Sequence, residues 1–579
     1  MFAAEMAKNE PVRIIKKIEQ TGRKLANNAI SGAHVAPGTP LYNKTAHSTL
    51  TSNCRVTAGY GNANNEKFLS GNRHYWSPDI VINSITSITR NTDYKELERV
   101  LKFYEIRYPS VRETMQCIEY SARLYFQTQA EYVNIFRYVN RLTPLQRAAF
   151  VYTGDLYHLM KCNPEFVRRF VDRLSTPSSM PHPNPRSVLD NAMEDHVALA
   201  QQVVPSVMRG KTMLDVRGKV EEAIVATVVE NIEQTLTQHF DLIRALWVTV
   251  NVPSSVAQFP DSIRRSALTG DTDSTIFTVQ DWVIWFSGQP GFSDKECAVA
   301  ATMIFLASQT IVHVLAMMSK NAGIETKRLF QTAMKNEFKF DVFTPTQVAK
   351  HYFAYISCQE GNLYAKYKKE IKGVHLKTSK ISKLVMQDAE KLMIYIMEEV
   401  LAGRKLSIDY IMKWVADAER GVMESIARGS YEYFRSTQIR DPSGYKEGKD
   451  NATYGQYLMW QEVFAPSYTE APQPPYMTVK ISTDIKSKSE LARWIEGFED
   501  RELAARMSAY IKRTGKTNLN TLQLPVECCN SKGIPKEIME RIKVRKMVID
   551  SCKVYYLVLE CLGVYMLNDK ITRLVSDHH

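Results

Sequence analysis

Leu268-Thr269-Gly270-Asp271-Thr272-Asp273-Ser274-Thr275 is the stretch on which the reading of this chain turns. Two carboxylates one residue apart follow a glycine and lie between apolar, β-prone segments, Ser266-Ala267-Leu268 before and Thr275-Ile276-Phe277-Thr278-Val279 after. That pattern predicts a tight hairpin with acidic residues at its tip. Side chains at i and i+2 of an extended segment share a face, so Asp271 and Asp273 can address one hard cation together. Mg²⁺ favours a few carboxylates plus substrate phosphates, and a pair of such ions supports in-line phosphoryl displacement. A solvated acidic turn produces the same string, so the rest of the chain has to decide.

The chain has 579 residues, too many for one core, which predicts several domains. With 44% hydrophobic and 23% charged residues it falls among ordinary globular proteins. Lys+Arg of 74 against Asp+Glu of 62 leaves +12, an excess that accommodates a nucleic-acid partner without requiring one. The nine cysteines include no CxxC pair, and Cys528-Cys529 with Cys552 and Cys561 lack zinc-ribbon spacing. Reduced thiols in a cytoplasmic-type compartment follow. The first residues lack a basic segment leading into an apolar core, so no signal peptide is indicated. The most apolar run, residues 297–318, contains Thr302, Ser308, Gln309, Thr310 and His313. Those polar groups predict a buried helix rather than a membrane span.

Upstream of the acidic string, residues 11–29 read as a basic amphipathic helix. Ile15, Ile18, Leu25 and Ala29 lie on one side, with Arg13, Lys16, Lys17, Arg23 and Lys24 solvated. A Gly/Pro loop at 31–40 leads into 43–60 and then a polar, Asn-rich stretch to 75. From Tyr94 the pattern is helical for about 150 residues. Thr143-Pro144 and Asn163-Pro164 are N-caps followed by Pro at the first helical position. A Pro-rich break at 175–185 divides the block, and 218–240 is another long helix. Downstream come the buried helix, a Lys-rich stretch at 350–383, helices at 384–432 and a polar loop at 441–451. A linker at 465–475 precedes a last domain with a strand at 476–482 and several helices. In the Lys-rich stretch, Lys366, Lys368, Lys369, Lys372, Lys377, Lys380 and Lys383 surround a single acid, Glu370. Tyr352, Tyr355, Tyr364 and Tyr367 are interleaved or close by. Such charge density neutralises backbone phosphates, and the aromatic rings can lie against sugars or bases. An ordinary solvated face with core tyrosines has the same composition.

The order of these elements resembles the C-terminal half of a family B DNA polymerase. That family's palm carries Tyr-Gly-Asp-Thr-Asp-Ser, and Thr269-Gly270-Asp271-Thr272-Asp273-Ser274 matches it at every position but the first. The resemblance implies that Asp273 is the catalytic metal ligand and Asp271 its less essential neighbour. Asn336-Glu337-Phe338-Lys339-Phe340 looks like the palm strand whose Glu337 lies near the active site. Ala349-Lys350-His351-Tyr352 looks like the segment that contacts the primer–template duplex, and Lys372-Gly373-Val374 like the motif that opens the thumb. The fingers helix of the family is best matched by Asn53-Cys54-Arg55-Val56-Thr57-Ala58-Gly59-Tyr60-Gly61. Tyr60 and Gly61 fit, but Asn53 stands at the triphosphate-binding Lys position and Thr57 at the Asn position. Arg55 is the nearest basic substitute, with Lys44 and the basic N-terminal helix as competitors. The surrounding Asn-rich text is similar to the divergent polymerases of giant bacteriophages.

The family's exonuclease and its other palm motif, Asp-x-x-Ser-Leu-Tyr-Pro-Ser, find no counterpart. That motif supplies the second essential metal carboxylate. The chain is therefore expected to act with a partner chain that brings the exonuclease and the first palm carboxylate. The architecture implied is α+β: fingers and the motif-B-like region over 1–93, a helical insertion over 94–255, and a palm over 256–345. Thumb entry and helical thumb follow over 346–465, then a C-terminal thumb or accessory domain over 476–579. The implied function is DNA-directed DNA synthesis, with two Mg²⁺ ions, dNTP and primer–template DNA as ligands, other replisome proteins as further partners and no membrane. The implied location is the cytoplasm of an infected bacterial host, or a phage replication compartment within it. By the same resemblance Lys350, His351, Tyr352, Lys366, Lys368, Lys369, Lys372 and Gly373 touch DNA, and Asn53, Arg55, Thr57, Tyr60 and Gly61 line the nucleotide site. Two rivals stay open: a catalytically silent polymerase-like scaffold, and an unrelated helical nucleic-acid-binding protein whose acidic turn is coincidental. Multisubunit RNA synthesis is disfavoured because its three-Asp loop is missing.

Overall fold

The computed structural model describes residues 10–126, 128–259, 261–271, 274–373, 380–445, 451–566 and 573–579. The chain is mixed helix and sheet, in two compact units. The first comprises Met1–Asp341 with Tyr355–Lys368, the second Val342–Ala354 with Lys369–His579.

In the first unit, helix α1 (Glu10–Ala33) covers the predicted amphipathic segment. Its Ile15, Ile18 and Leu25 are exposed. Helix α2 (Lys44–Ser70) is longer than the sequence suggests, because the Asn-rich stretch after Tyr60 continues the helix instead of leaving it. Asn62, Asn64, Asn65, Glu66 and Lys67 are all buried. Most of these polar groups meet partners on neighbouring elements, and tertiary satisfaction of that kind overrides weak local propensity. The helix stops at Gly71, whose φ of 64° suits a residue without a Cβ. A Cβ there would also lie 2.4 Å from the His158 ring.

The long block that follows is helical, as its periodicity predicts. Helix α3 (Tyr94–Phe103), α4 (Pro164–Leu174) and α5 (Val220–Gln238) belong to it, with further helices between. Phe150, Phe170, Val229 and Leu246 are fully or almost fully buried in its core. The predicted acidic hairpin is present as β1 (Ala267–Gly270) and β2 (Thr275–Phe277), an antiparallel pair with a register shift between Ala267 and Thr269. Helix α6 (Asp294–Asn321) starts at a Ser293/Glu296 capping box. By length and composition it could cross a membrane, but 72% of its most apolar window is buried in the protein. It packs against α2.

Strands β3 (Phe338–Pro345), β4 (Tyr352–Gln359) and β5 (Asn362–Lys372) form a sheet in that order. The Lys-rich stretch is thus largely a strand. Between β4 and β5, Glu360 (φ 47°) and Gly361 (φ 84°) make a two-residue turn with positive φ at both positions, the geometry that matches strand twist.

The second unit contains the helices α7 (Lys383–Leu401), α8 (Ile408–Ala427) and α9 (Val544–Cys561). Its sheet has the order β6 (Ser436–Ile439), β7 (Tyr476–Ser482), β8 (Thr521–Pro525). Strand β7 coincides with the predicted strand, and β8 is an addition to it. Glu419 of α8, fully buried, accepts hydrogen bonds from the Tyr556 hydroxyl at 2.7 Å and the Ser576 N–H at 2.7 Å, which ties the C-terminal residues down.

Candidate active site

The turn that carries the paired acids rests on two short strands. Gly270 pairs with Thr275, and the Asp271 N–H donates to the Ser274 carbonyl at 2.9 Å. Asp271 is exposed. Thr272 and Asp273 lie outside the described residues. Thr269, where the resemblance has Tyr, pairs with Ile276.

Helix α2 grips this hairpin. Asn62 Oδ1 accepts a hydrogen bond from the Thr275 hydroxyl. Its amide nitrogen would lie 3.5 Å from a Cβ on Gly270, an ordinary packing distance between helix and strand. One turn further on, Glu66 is 1% exposed. Its carboxylate accepts the backbone N–H groups of Arg265 at 2.8 Å, Ser266 at 2.8 Å and Ala267 at 2.7 Å. The Ser266 hydroxyl at 3.1 Å and the Asn72 amide at 2.6 Å complete its shell. Hydrogen bonds to an ionised acceptor are the strong ones, and a full set is what makes a buried carboxylate tolerable.

Helical periodicity of about 3.6 residues per turn sorts the nucleotide-binding candidates. Arg55 is two turns before Asn62 and shares its hairpin-facing side with Asn62 and Glu66; it is exposed. Thr57, Tyr60 and Asn64 are on the other side. Thr57 Oγ1 is 3.8 Å from Met318 Sδ, and Asn64 donates to Thr310 at 2.8 Å, both on α6. Asn53 shares that phase and is exposed, its carbonyl accepting from the Thr57 hydroxyl at 2.9 Å. A Cβ on Gly61 would lie 3.1 Å from Met334 Sδ. Arg55 alone among the five thus shares the helical phase of the two residues that hold the hairpin. Asn62 and Glu66 escaped the sequence reading. Their signal is a polar i, i+4 pair in phase with Arg55.

In the second unit the duplex-contact candidates form one cluster. Gly373, at φ 112°, lies so close to His351 that a Cβ would fall 2.2 Å from the ring. Lys372 Nζ is 5.9 Å from the centre of the Tyr352 ring, which is itself 4.7 Å from Phe343. Lys350 is exposed at a positive φ of 64°. Lys369 pairs with Glu390, and Lys372 with Glu370 at 3.2 Å. In the first unit Lys366 and Lys368 are exposed, Lys368 resting 5.5 Å from the Tyr364 ring. Glu337 is exposed just before β3, and its carbonyl accepts from the Glu360 N–H at 2.8 Å. Val374 and Lys377 lie outside the described residues.

The profile of the divergent family B DNA polymerases matches residues 1–579. The chain belongs to the divergent family B DNA polymerases. No curated protein sequence matches it.

Polymerases of this family use divalent metal ions, so the donor sets of this family B polymerase can be weighed against one. Cys117, Asp155 and His158 bring ligand atoms within 4.8 Å of one another, all buried. Asp155 Oδ2, however, already accepts from His158 Nδ1 at 2.8 Å and from Arg73 Nε and Nη2 at 2.9 and 2.7 Å. Mg²⁺ keeps several waters and wants hard oxygen donors, so a dry pocket shared with a guanidinium does not fit it. The carboxylate of the exposed Asp271 is a hard donor of the right kind, and Asp273 follows two residues on in the sequence. The other palm motif has no full match in the chain. Tyr108-Pro109-Ser110 repeats its last three residues, but Phe103 stands where the Asp belongs, and Ser110 is the N-cap of helix Val111–Ala122.

Proposed function

We propose that this polymerase adds deoxynucleotides to a primer 3′-end at the Asp271/Asp273 turn, with a partner chain supplying the exonuclease and the second palm carboxylate. The observation that carries this reading is the grip of Glu66 and Asn62 on the acidic hairpin. It fastens the helix resembling the nucleotide-binding fingers to the turn resembling the catalytic palm. In this reading residues 1–93 form the fingers, 94–255 an insertion, 256–345 the palm and the remainder thumb and accessory structure.

The primer 3′-oxygen bonds to the α-phosphorus of a dNTP as the bond to pyrophosphate breaks. Asp273, with Asp271 beside it, would hold Mg²⁺, which when bound offsets the charge of the triphosphate and favours the ionised 3′-hydroxyl. Arg55, on the hairpin-facing side of α2, holds triphosphate oxygens through its planar fork. Glu66 keeps the strand before Asp271 from shifting. Lys350, His351, Tyr352, Lys372 and Gly373 bear on the duplex backbone, where contacts set register rather than sequence. The reaction takes place in the cytoplasm of an infected bacterial cell.

The test is primer extension by the rigorously purified chain, alone and mixed with a polypeptide carrying the exonuclease and the missing Asp motif. Synthesis is expected only in the mixture, and Asp273→Asn is expected to abolish it while duplex binding persists. Robust synthesis by the single chain would remove the partner from the scheme. Undiminished extension with Asp273→Asn would leave a DNA-binding scaffold instead of a catalyst.

A further inference from the structure

The helical block between α2 and the acidic hairpin takes no part in the chemistry above, yet it contains a recess of about 170 Å³ with an unusual lining. Tyr104 and His239 stack at its wall, ring centres 5.5 Å apart and planes 18° from parallel. Both rings are locked: the Tyr104 hydroxyl donates to the Gln238 carbonyl and His239 Nδ1 meets the Thr235 carbonyl, each at 2.7 Å. Burial holds the His239 imidazole below its ordinary pKa, so the ring is neutral at pH 7. Phe103 stands edge-on to Tyr104 at 4.8 Å and is 71% exposed, which leaves ring surface uncovered at the mouth. An aromatic ring left in water is apolar surface that a stacked ligand can cover.

Charge flanks the ring. Arg169 and Arg173, both exposed and one turn apart on α4, line the same recess. Among the described residues neither guanidinium pairs with a carboxylate; Arg173 only donates to the Gln238 side chain at 3.3 Å. Glu105 sits at the rim with φ 55°, in the position after a helix end where glycine is usual. A strained backbone thus keeps an acceptor where an exocyclic amino group could meet it.

We propose that this recess binds single-stranded DNA, with one base stacked on Phe103 and an adjoining phosphate held by Arg169 and Arg173. The chemistry recognised is an unpaired base next to a phosphate. Paired bases present no free face to a ring, whereas single strands stack on aromatics whatever their sequence. A free nucleotide has the same two parts, and competition between the two tells the sources apart.

The experiment irradiates the full chain with a bromouracil-substituted single strand and maps the crosslinked peptide, with affinity measured by anisotropy on an oligothymidine. A crosslink at Phe103 is expected. Phe103→Ala should weaken oligothymidine binding by about tenfold, and Phe103→Trp should restore it. Because Phe103 is exposed, thermal unfolding should be unchanged in both. Arg169→Ala with Arg173→Ala should lower the salt slope by about 0.7 for each phosphate left without its arginine. Crosslinks confined to residues 350–373, or unchanged affinity and slope in these variants, would overturn the site. Equal competition by dTTP and by the oligonucleotide would overturn the strand as its ligand. None of these readouts depends on Asp273.

Discussion

The carboxylate of Glu66, buried near the end of α2, accepts the backbone N–H of Ala267, the first residue of the strand that leads to Asp271, at 2.7 Å. A side chain in the helix resembling the fingers thereby sets the backbone of the acidic hairpin. Removing it strands the buried backbone donors of Ser266 and Ala267 and the half-buried one of Arg265, each costing about 1–3 kcal/mol where water cannot replace the acceptor. Glu66→Ala should therefore destabilise the protein by at least about 3–5 kcal/mol, read as a lower midpoint in chemical unfolding. Glu66→Gln keeps one acceptor oxygen and should cost less than half as much. Equal midpoints for wild type and Glu66→Ala would mean that the hairpin is held by other contacts.

Arg55 shares a helix face with Asn62 and Glu66, while Asn53 and Thr57 are in phase with residues packed on α6. Arg55→Ala is expected to raise the KM for dNTP by about tenfold or more, the loss of a charge-assisted pair. Asn53→Ala should change it little. Steady-state extension at varied dNTP decides, and a larger effect at Asn53 would reverse the assignment.

Replacing Lys366, Lys368, Lys369 and Lys372 together should weaken duplex binding on all sequences alike. The slope of log K against log salt should flatten by about 0.9 for each phosphate no longer neutralised. Lys369 and Lys372 should contribute least, because Glu390 and Glu370 already neutralise part of their charge. An unchanged slope would reduce the stretch to a solvated face.

A buried charge network gives the polymerase a pH signature. Burial alone would depress His158, but the Asp155 carboxylate outweighs it and raises the imidazole to about 9. Lys67 runs the other way, pushed down to about 7 by burial and then by Arg73. The raised histidine contributes stability that is whole below about pH 6.5 and is lost as pH rises through about 9. The depressed lysine contributes in the opposite sense between about pH 7 and 10.5, since there the unfolded chain binds the extra proton. Between pH 7 and 9 the two slopes oppose each other. Lys67→Met should unmask the histidine, so that stability falls by a few kcal/mol over that range while wild type stays nearly flat. Urea unfolding at pH 6.5, 8 and 9.5 measures it, and parallel profiles would show that His158 does not stay charged.

The sequence alone determined the hairpin at Asp271, the helical block after Tyr94, the buried helix over 297–318 and strand 476–482. These are set by local patterns: alternation, 3.6-residue periodicity, caps and turn residues act over a few positions. It could not show that the Asn-rich stretch after Tyr60 continues a helix, because that depends on Thr310, Thr275 and the 265–267 backbone, far away in the chain. For the same reason the motif match ranked Asn53 and Thr57 with Arg55, and only the packing of α2 between α6 and the hairpin separated them. Polar residues carry no sign in the sequence of whether they will be solvated or buried with partners. The tertiary structure decides that, since three of the partners of Glu66 are backbone N–H groups that any residue but proline at 265–267 would offer.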